Sequence, residues 1–287
     1  MTTQIFVAST AYGLATVAAA LDEGLFPAAD RRLLLLTNNA AMPEVTAAVT
    51  DVAGVDTLLD RFDATIDYND TIAPQHPSAW APRSAELPLW ERSLRALWGL
   101  GDDTVHLVLE SIQASPALAL ARVFADARID VYADGLMSYG PTRTALPDDV
   151  GWRIERLLHL DLVPGLVPML LADWQVPPTV VSTDRFRAVI ASMSPAHTEP
   201  QEQVVLVLGQ YLAAADLLSE TEEIRLYREL IVRAGRSTQR RVVFKPHPSA
   251  PLNQQAALRS AAAEAGVDLE ITTELELAEA WFARGQV

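Results

Sequence analysis

Short apolar runs alternate with stretches of helical periodicity along most of this chain, and their order sets the first expectation. QIFVAS (4–9) reads as a buried strand and TVAAALDEG (16–24) as a helix stopped at Gly24. RRLLLLTNN (31–39) reads as a second strand, and PEVTAAVTDVAG (43–54) as a helix ending at Gly54. Strand, helix, strand, helix predicts a parallel sheet. Residues 57–88 break the rhythm with prolines at 74, 77, 82 and 88; a loop of that length is usually functional or mobile, and His76 within it reads as a surface residue. LPLWERSLRALWGLG (87–101) puts Trp90, Leu94, Leu97 and Trp98 on one helical face. A strand over Thr104–Leu109 then ends at Glu110 and Ser111, and SPALALARVFADA (115–127) is a helix with Pro116 in its first turn. It leads into the strand of IDVYADG (129–135). PDDVGWRIERLLHLDLVPGLVPMLLADW (147–174) predicts helix, interruption, helix.

The alternation restarts after a polar, proline-bearing stretch, SPAHTEPQEQ (194–203). VVLVLGQ (204–210), RRVVFKPHP (240–248) and VDLEITT (267–273) are expected strands; SETEEIRLYRELIVRAG (219–235) and QQAALRSAAAEAG (254–266) are expected helices. Ser219 followed by Glu222 has the spacing of a capping box. The expectation is an α/β protein of two Rossmann-like domains, 1–195 and 203–287, with 196–202 as the linker and parallel sheets facing a cleft.

Charge and composition narrow the function. A formal charge of −15 over 287 residues argues against a nucleic-acid partner, because such a field repels phosphate backbones. The absence of cysteine removes disulfides and thiolate metal sites. The N-terminus lacks a basic region before its apolar run, and 157–174 is broken by His159, Asp161 and two prolines, so neither a signal peptide nor a transmembrane segment is expected. A cytoplasmic protein is the expectation, with peripheral membrane association left open.

Two loops carry the candidate chemistry. Asp134, followed by Gly135, ends a strand at the carboxyl edge of a sheet, where open α/β sheets bind ligands and where a carboxylate can act as a general base. Asp-Gly is equally a turn signal. His247 lies between Pro246 and Pro248 with Lys245 nearby, a rigid turn that suits a phosphate or serves only as a turn. Ser9, Thr10 and Gly13 fall at the same kind of edge, as do Glu110 and Ser111. GxGxxG, Walker, HExxH and GxSxG patterns are missing, and no Asp-x-Asp follows a strand.

YADGLMSYGPTR (132–143), VLVLGQYL (205–212) and VVFKPHP (242–248), in that order, resemble the bacterial polysialyltransferase family, glycosyltransferases of GT-B architecture; the opening TQIFVASTAYGLATVAAAL looks like that family's first strand and helix. The resemblance implies an inverting, metal-free transfer of sialic acid from CMP-sialic acid to a glycan hydroxyl, with no cofactor. Asp134 and Gly135 would match the acidic motif that supplies the base, and His247 and Pro248 the motif that binds the CMP phosphate. Gly209 and Gln210 would line the nucleotide side with Lys245. The sequence departs from the pattern at Ala133, which stands where the family has its first acid. Its second half carries about three strands and ends at Val287 before a serine-rich nucleotide contact, so the C-terminal domain is expected to be incomplete. A non-catalytic nucleotide- or glycan-binding relative, or a transferase using another activated donor, is the alternative.

Overall fold

The fold is that of a computed structural model, which describes residues 1–40, 42–133, 135–194, 203–210, 212–213, 216–238, 240–247 and 254–287. Asp134, Pro248 and the expected linker 196–202 lie outside the described residues. The chain forms two compact units, each an α/β layer structure with a parallel sheet, in keeping with Rossmann-like GT-B architecture.

The first unit comprises Met1–Pro43, Ala48–Thr50 and Val55–Ser192. Its strands are β1 (Thr2–Ala8), β2 (Arg31–Leu36), β3 (Ala64–Asp67), β4 (Thr104–Leu109), β5 (Arg128–Ala133), β6 (Ile154–Leu160) and β7 (Pro178–Val181). They pair in parallel in the order β3-β2-β1-β4-β5-β6-β7. The chain runs outward from β1 to β3, then returns to lay β4 on the other side of β1. That reversal makes β1/β4 the topological switch point, the place where the connecting loops part and leave a crevice. The central strands are covered on both faces, which is why QIFVA and VHLVL read as continuous apolar runs instead of alternating ones. On one face Tyr68, Trp80, Trp98 and Phe124 pack around Leu94. Leu97, expected on that face, is exposed: the helix Leu87–Leu97 ends there and Trp98 takes the inner place.

A line of polar side chains crosses the sheet beneath this edge. Arg32 Nε donates to Gln4 Oε1 at 3.2 Å, and Gln4 Nε2 lies 3.4 Å from His106 Nδ1. His106 Nε2 is 3.1 Å from Asp130, whose carboxylate also takes the fork of Arg156. Asp130 is fully buried and its pKa lies below the usual carboxylate range: burial pushes it up, and His106 and Arg156 together outweigh that. Arg156 also donates to the Leu25 carbonyl at 2.7 Å, and Gln4 to that of Pro27 at 3.1 Å, which fastens the loop before β2.

Two expected helices are something else. Residues 43–54 form two single 3-10 turns, Pro43–Val45 and Val49–Asp51. The segment is rich in β-branched residues, which weaken a helix, and Gly54 at φ +77° sits where a Cβ would fall 1.9 Å from the Met193 carbonyl. Residues 154–160, expected within a helix, are β6. Its leucines are covered from both sides, a pattern that a buried helix and a parallel strand share.

The second unit comprises Glu44–Ala47, Asp51–Gly54 and Met193–Val287. Its parallel sheet has the order β10-β9-β8, with β8 at Val205–Leu208, β9 at Val242–Lys245 and β10 at Leu269–Ile271, each shorter than the sequence suggests. The helices Glu220–Thr238 and Gln254–Glu264 cover one face through Tyr227, Ile231, Leu258 and Ala262, and Trp281 packs on the other against Val204 and Val243. No helix among the described residues is long and apolar enough to cross a membrane.

Candidate functional site

Each unit gathers polar side chains at the carboxyl edge of its sheet. In the first, the centre is Glu110, directly after β4 at the switch point and 7 % exposed. Its Oε1 accepts a short hydrogen bond from the Ser9 hydroxyl at the end of β1. Its Oε2 lies 2.7 Å from the Tyr132 hydroxyl on β5, which is also 2.7 Å from the Val7 carbonyl, so one phenolic proton serves both. Three adjacent strands therefore meet on one carboxylate.

The helix Ala11–Asp22 starts against the same group. Thr10 caps it, its Oγ1 accepting from the Gly13 amide at 2.9 Å. A Cβ on Gly13 would fall 2.7 Å from Glu110 Oε2 and 3.0 Å from Thr10 Oγ1, so only glycine lets the first turn come this close. A helix N-terminus favours a negative charge within its first turn. Ser111 follows with φ +49°, a left-handed backbone that a non-glycine residue adopts at a cost of order 1–3 kcal/mol. Gln113 then ties this loop to the next, its Oε1 accepting from the amides of Arg143 at 2.7 Å and Thr144 at 2.9 Å. Gly135, at φ +79°, opens the turn after β5.

In the second unit the loops after β8 and β9 are in contact. The Gly209 amide donates to the Lys245 carbonyl at 2.8 Å, and a Cβ on Gly209 would lie 2.8 Å from the Phe244 ring. Behind them sits Glu223, fully buried, accepting from the amides of Leu212 at 2.8 Å and Ala213 at 3.1 Å and from Gln254 Nε2 at 3.3 Å. Burial raises its pKa, but these donors and Tyr227 bring it below the ordinary value. The Tyr227 hydroxyl is 3.0 Å from Glu223 Oε1 and accepts from the Gln210 amide at 2.5 Å. The helix Glu220–Thr238 thus fixes the backbone of the β8 loop.

Lys245 and His247 are half-buried at the end of β9. Burial lowers the Lys245 pKa, with Glu276, Glu274 and Glu279 acting the other way, and its Nζ donates to the Glu274 carbonyl at 3.2 Å. Burial also lowers the His247 pKa, so the ring favours its neutral form.

The residues expected from sequence thus divide into two sets. Ser9, Thr10, Gly13, Glu110 and Ser111 converge at the switch point; Gly209, Gln210, Lys245 and His247 border the β8 and β9 loops. Tyr132, Glu223 and Tyr227 were not anticipated. Tyr132 reaches Glu110 through strand register, which spacing does not reveal, whereas Glu223 and Tyr227 are an i,i+4 pair on a helix and had a readable signal. Among the described residues no three His, Cys, Asp or Glu side chains come together as metal ligands.

Residues 4–287 match the family model described as alpha-2,8-polysialyltransferase (POLYST). No individually curated protein matches. Among solved structures, UDP-GlcNAc 2-epimerase from Methanocaldococcus jannaschii aligns with a TM-score of 0.51 and 10 % identity over 99 % of this chain and 76 % of that one. A glycosyltransferase from Rickettsia africae aligns at 0.47 and 9 % identity, covering 100 % of this chain and 71 % of that one. Phytolacca americana UGT2, complexed with UDP-2-fluoro-glucose and pterostilbene, aligns at 0.45 and 13 % identity over 95 % and 71 %. At 10 % identity the likeness to the epimerase is one of fold alone.

Proposed function

The chain belongs to the alpha-2,8-polysialyltransferase family, and from that premise we propose that it transfers sialic acid from CMP-sialic acid to a glycan hydroxyl, with inversion and without a metal ion. The acceptor oxygen attacks the anomeric carbon and gives its proton to the carboxylate of Asp134. The bond from that carbon to the CMP phosphate oxygen breaks, and CMP leaves with the electron pair. Lys245 and His247 meet the growing phosphate charge, the kind of electrostatic stabilisation that often dominates catalysis. Glu110, with Ser9 and Thr10, offers hydrogen-bonding groups to the acceptor side. The proposal includes a cytoplasmic location and no nucleic-acid partner.

The observation that carries this reading is the β8/β9 loop pair. Buried Glu223 and Tyr227 hold its backbone rigid, and it places an amine and an imidazole at a carboxyl edge in a chain of net charge −15. A lysine cation beside an imidazole that a bound phosphate can help to protonate suits a nucleotide phosphate. The test is a thermal-shift titration with CMP, UMP and CDP. A ligand at a hundred times its Kd stabilises by about 2.7 kcal/mol, so stabilisation by CMP that disappears in His247→Ala is the expected result. A larger shift with UMP or CDP would assign another donor. Ala133 favours a second reading, a relative that binds nucleotide or glycan without turnover; CMP binding with no sialic acid transfer would establish it.

A further inference from the structure

The helix Glu220–Thr238 is the longest among the described residues, and the fold leaves one of its sides uncovered. Glu223, Tyr227 and Ile231, each four residues from the next, are buried within the second unit. Rotated from them by about 100°, Glu222, Leu226, Leu230 and Arg233 follow one another at spacings of four, four and three, and all are exposed. That spacing makes one helical face. Leu226 is 36 % exposed and Leu230 43 %. The outward face of a surface helix is ordinarily polar; here two leucines one turn apart stand at its centre.

This face is complementary to its own reverse. Position 228 lies midway between the two leucines; Glu222 stands six residues before it and Arg233 five after. Two such helices laid antiparallel about a twofold axis at that point set Leu226 of each copy level with Leu230 of the other. The same pairing brings Glu222 of each copy to Arg233 of the other, level to within about 1.5 Å along the axis. The ion pairs then flank the leucines at both ends. The two macrodipoles also oppose one another, which favours the antiparallel sense.

We infer that a second copy of this chain covers the face, in a twofold dimer held by Leu226 and Leu230 and by reciprocal Glu222–Arg233 pairs. Such a contact uses the same patch on both copies. Charge allows it here: the chain carries −15, but this helix holds four glutamates and four arginines, so two copies meet without a like-charge excess. Both charged groups have capacity for a partner. Among the described residues Arg233 makes no ion pair, although Glu229 stands one turn before it. Glu222 takes its hydrogen bonds from Ser219 on Oε2, at 2.9 and 2.6 Å, which leaves Oε1 for a cation. On the inner side of the same helix Glu223 and Tyr227 fix the loop after β8, so the second copy braces the support of that loop.

The test is sedimentation equilibrium of the full chain over a concentration series, alongside Glu222→Arg, Arg233→Glu, the two exchanges combined, and Leu226→Ser/Leu230→Ser. No turnover is measured, so the result stands or falls separately from the transfer reading. The parent chain should dimerise. Its Kd should rise roughly tenfold or more in each single exchange, where like charges meet at both ends, and in the leucine pair. Two further results are specific to an antiparallel twofold contact. The combined exchange restores the dimer, and so does an equimolar mixture of the two single exchanges, whose members then pair only with each other. Glu222→Arg also removes the cap to Ser219; Arg233→Glu leaves it in place, and recovery in the mixture shows that both variants are folded. A chain that stays monomeric at every concentration overturns the inference. A dimer indifferent to every variant overturns it too, by placing the contact elsewhere. A loss in the single exchanges that neither the combined exchange nor the mixture recovers does the same.

Discussion

Asp130 and Glu110 stand on neighbouring strands of the first sheet, both nearly inaccessible to solvent, and their surroundings have little in common. Asp130 lies inside β5, level with Val108, and faces Arg156 and His106. Its charge is balanced within the protein and it has no route to a ligand. Glu110 follows the end of β4, two residues further along, and the hydroxyls of Ser9 and Tyr132 and the start of a helix lie against it. Hydroxyl donors and a helix terminus are the kind of surroundings that favour a negative charge. Burial alone therefore does not distinguish a carboxylate that serves the fold from one held ready at an edge; the neighbours do.

The largest effect should come from removing the cation beside Asp130. Arg156→Ala leaves a buried carboxylate without its fork, and loss of one partner of such a pair costs about 3–5 kcal/mol. Urea unfolding at neutral pH measures it; a cost under about 1 kcal/mol would erase the contrast with Glu110. The acid limb should change as well. A carboxylate whose folded pKa lies below its unfolded value adds stability that is fully present above about pH 4, the ordinary carboxylate value. That stability is lost as pH falls through the lower folded value. Arg156→Ala should shrink this acid-dependent component.

Gly13→Ala probes the other acid. The added methyl would press on Glu110 Oε2, Thr10 Oγ1 and, at 3.3 Å, the Tyr132 ring. Overpacking of this kind costs about 1–3 kcal/mol, against a helix-propensity gain of up to about 1 kcal/mol. A net loss of melting temperature is expected; a gain would mean that the first turn is not held against the carboxylate. Glu110→Gln should be milder for the fold, about 1 kcal/mol, because an amide still bonds and both hydroxyls can rotate. Its effect belongs to function: kcat/KM for the acceptor should fall at least tenfold while CMP affinity stays unchanged. The reverse outcome would place Glu110 with Asp130 among the structural acids.

Much of the architecture was legible because parallel strands covered on both faces leave unbroken apolar runs, as in QIFVA and VVF. The capping box was legible for a local reason, and Ser219 and Glu222 do exchange hydrogen bonds. Local pattern failed at 154–160, where leucine spacing suits a buried helix and a buried strand alike. It failed at 43–54 too, where what matters is the approach of Gly54 to Met193, 139 positions along the sequence. The switch-point residues were readable one by one as strand ends, but their meeting on Glu110 depends on the order of β1, β4 and β5. Strand order is a tertiary fact, so the partnership with Tyr132 was out of reach of spacing arguments.

The smallest predicted effect is a pH dependence at the second edge. Burial holds the His247 pKa below its usual value near 6.5, so at neutral pH the ring carries no proton. A dianionic phosphate nearby favours the charged ring. Proton uptake should then accompany CMP binding, and affinity should rise a few-fold as pH falls from about 7.5 to 6. Calorimetry in buffers of different ionisation enthalpy counts those protons. His247→Gln should bind CMP more weakly and without the pH slope, whereas an unchanged slope would move the titrating group elsewhere. Lys245 provides the control within the same loop: its pKa is also lowered by burial, but from 10.5, and its neighbouring carboxylates oppose the shift. It should stay charged throughout this range, so Lys245→Met should weaken binding equally at both pH values. A pH slope lost in His247→Gln but kept in Lys245→Met would separate the proton-binding cation from the permanent one.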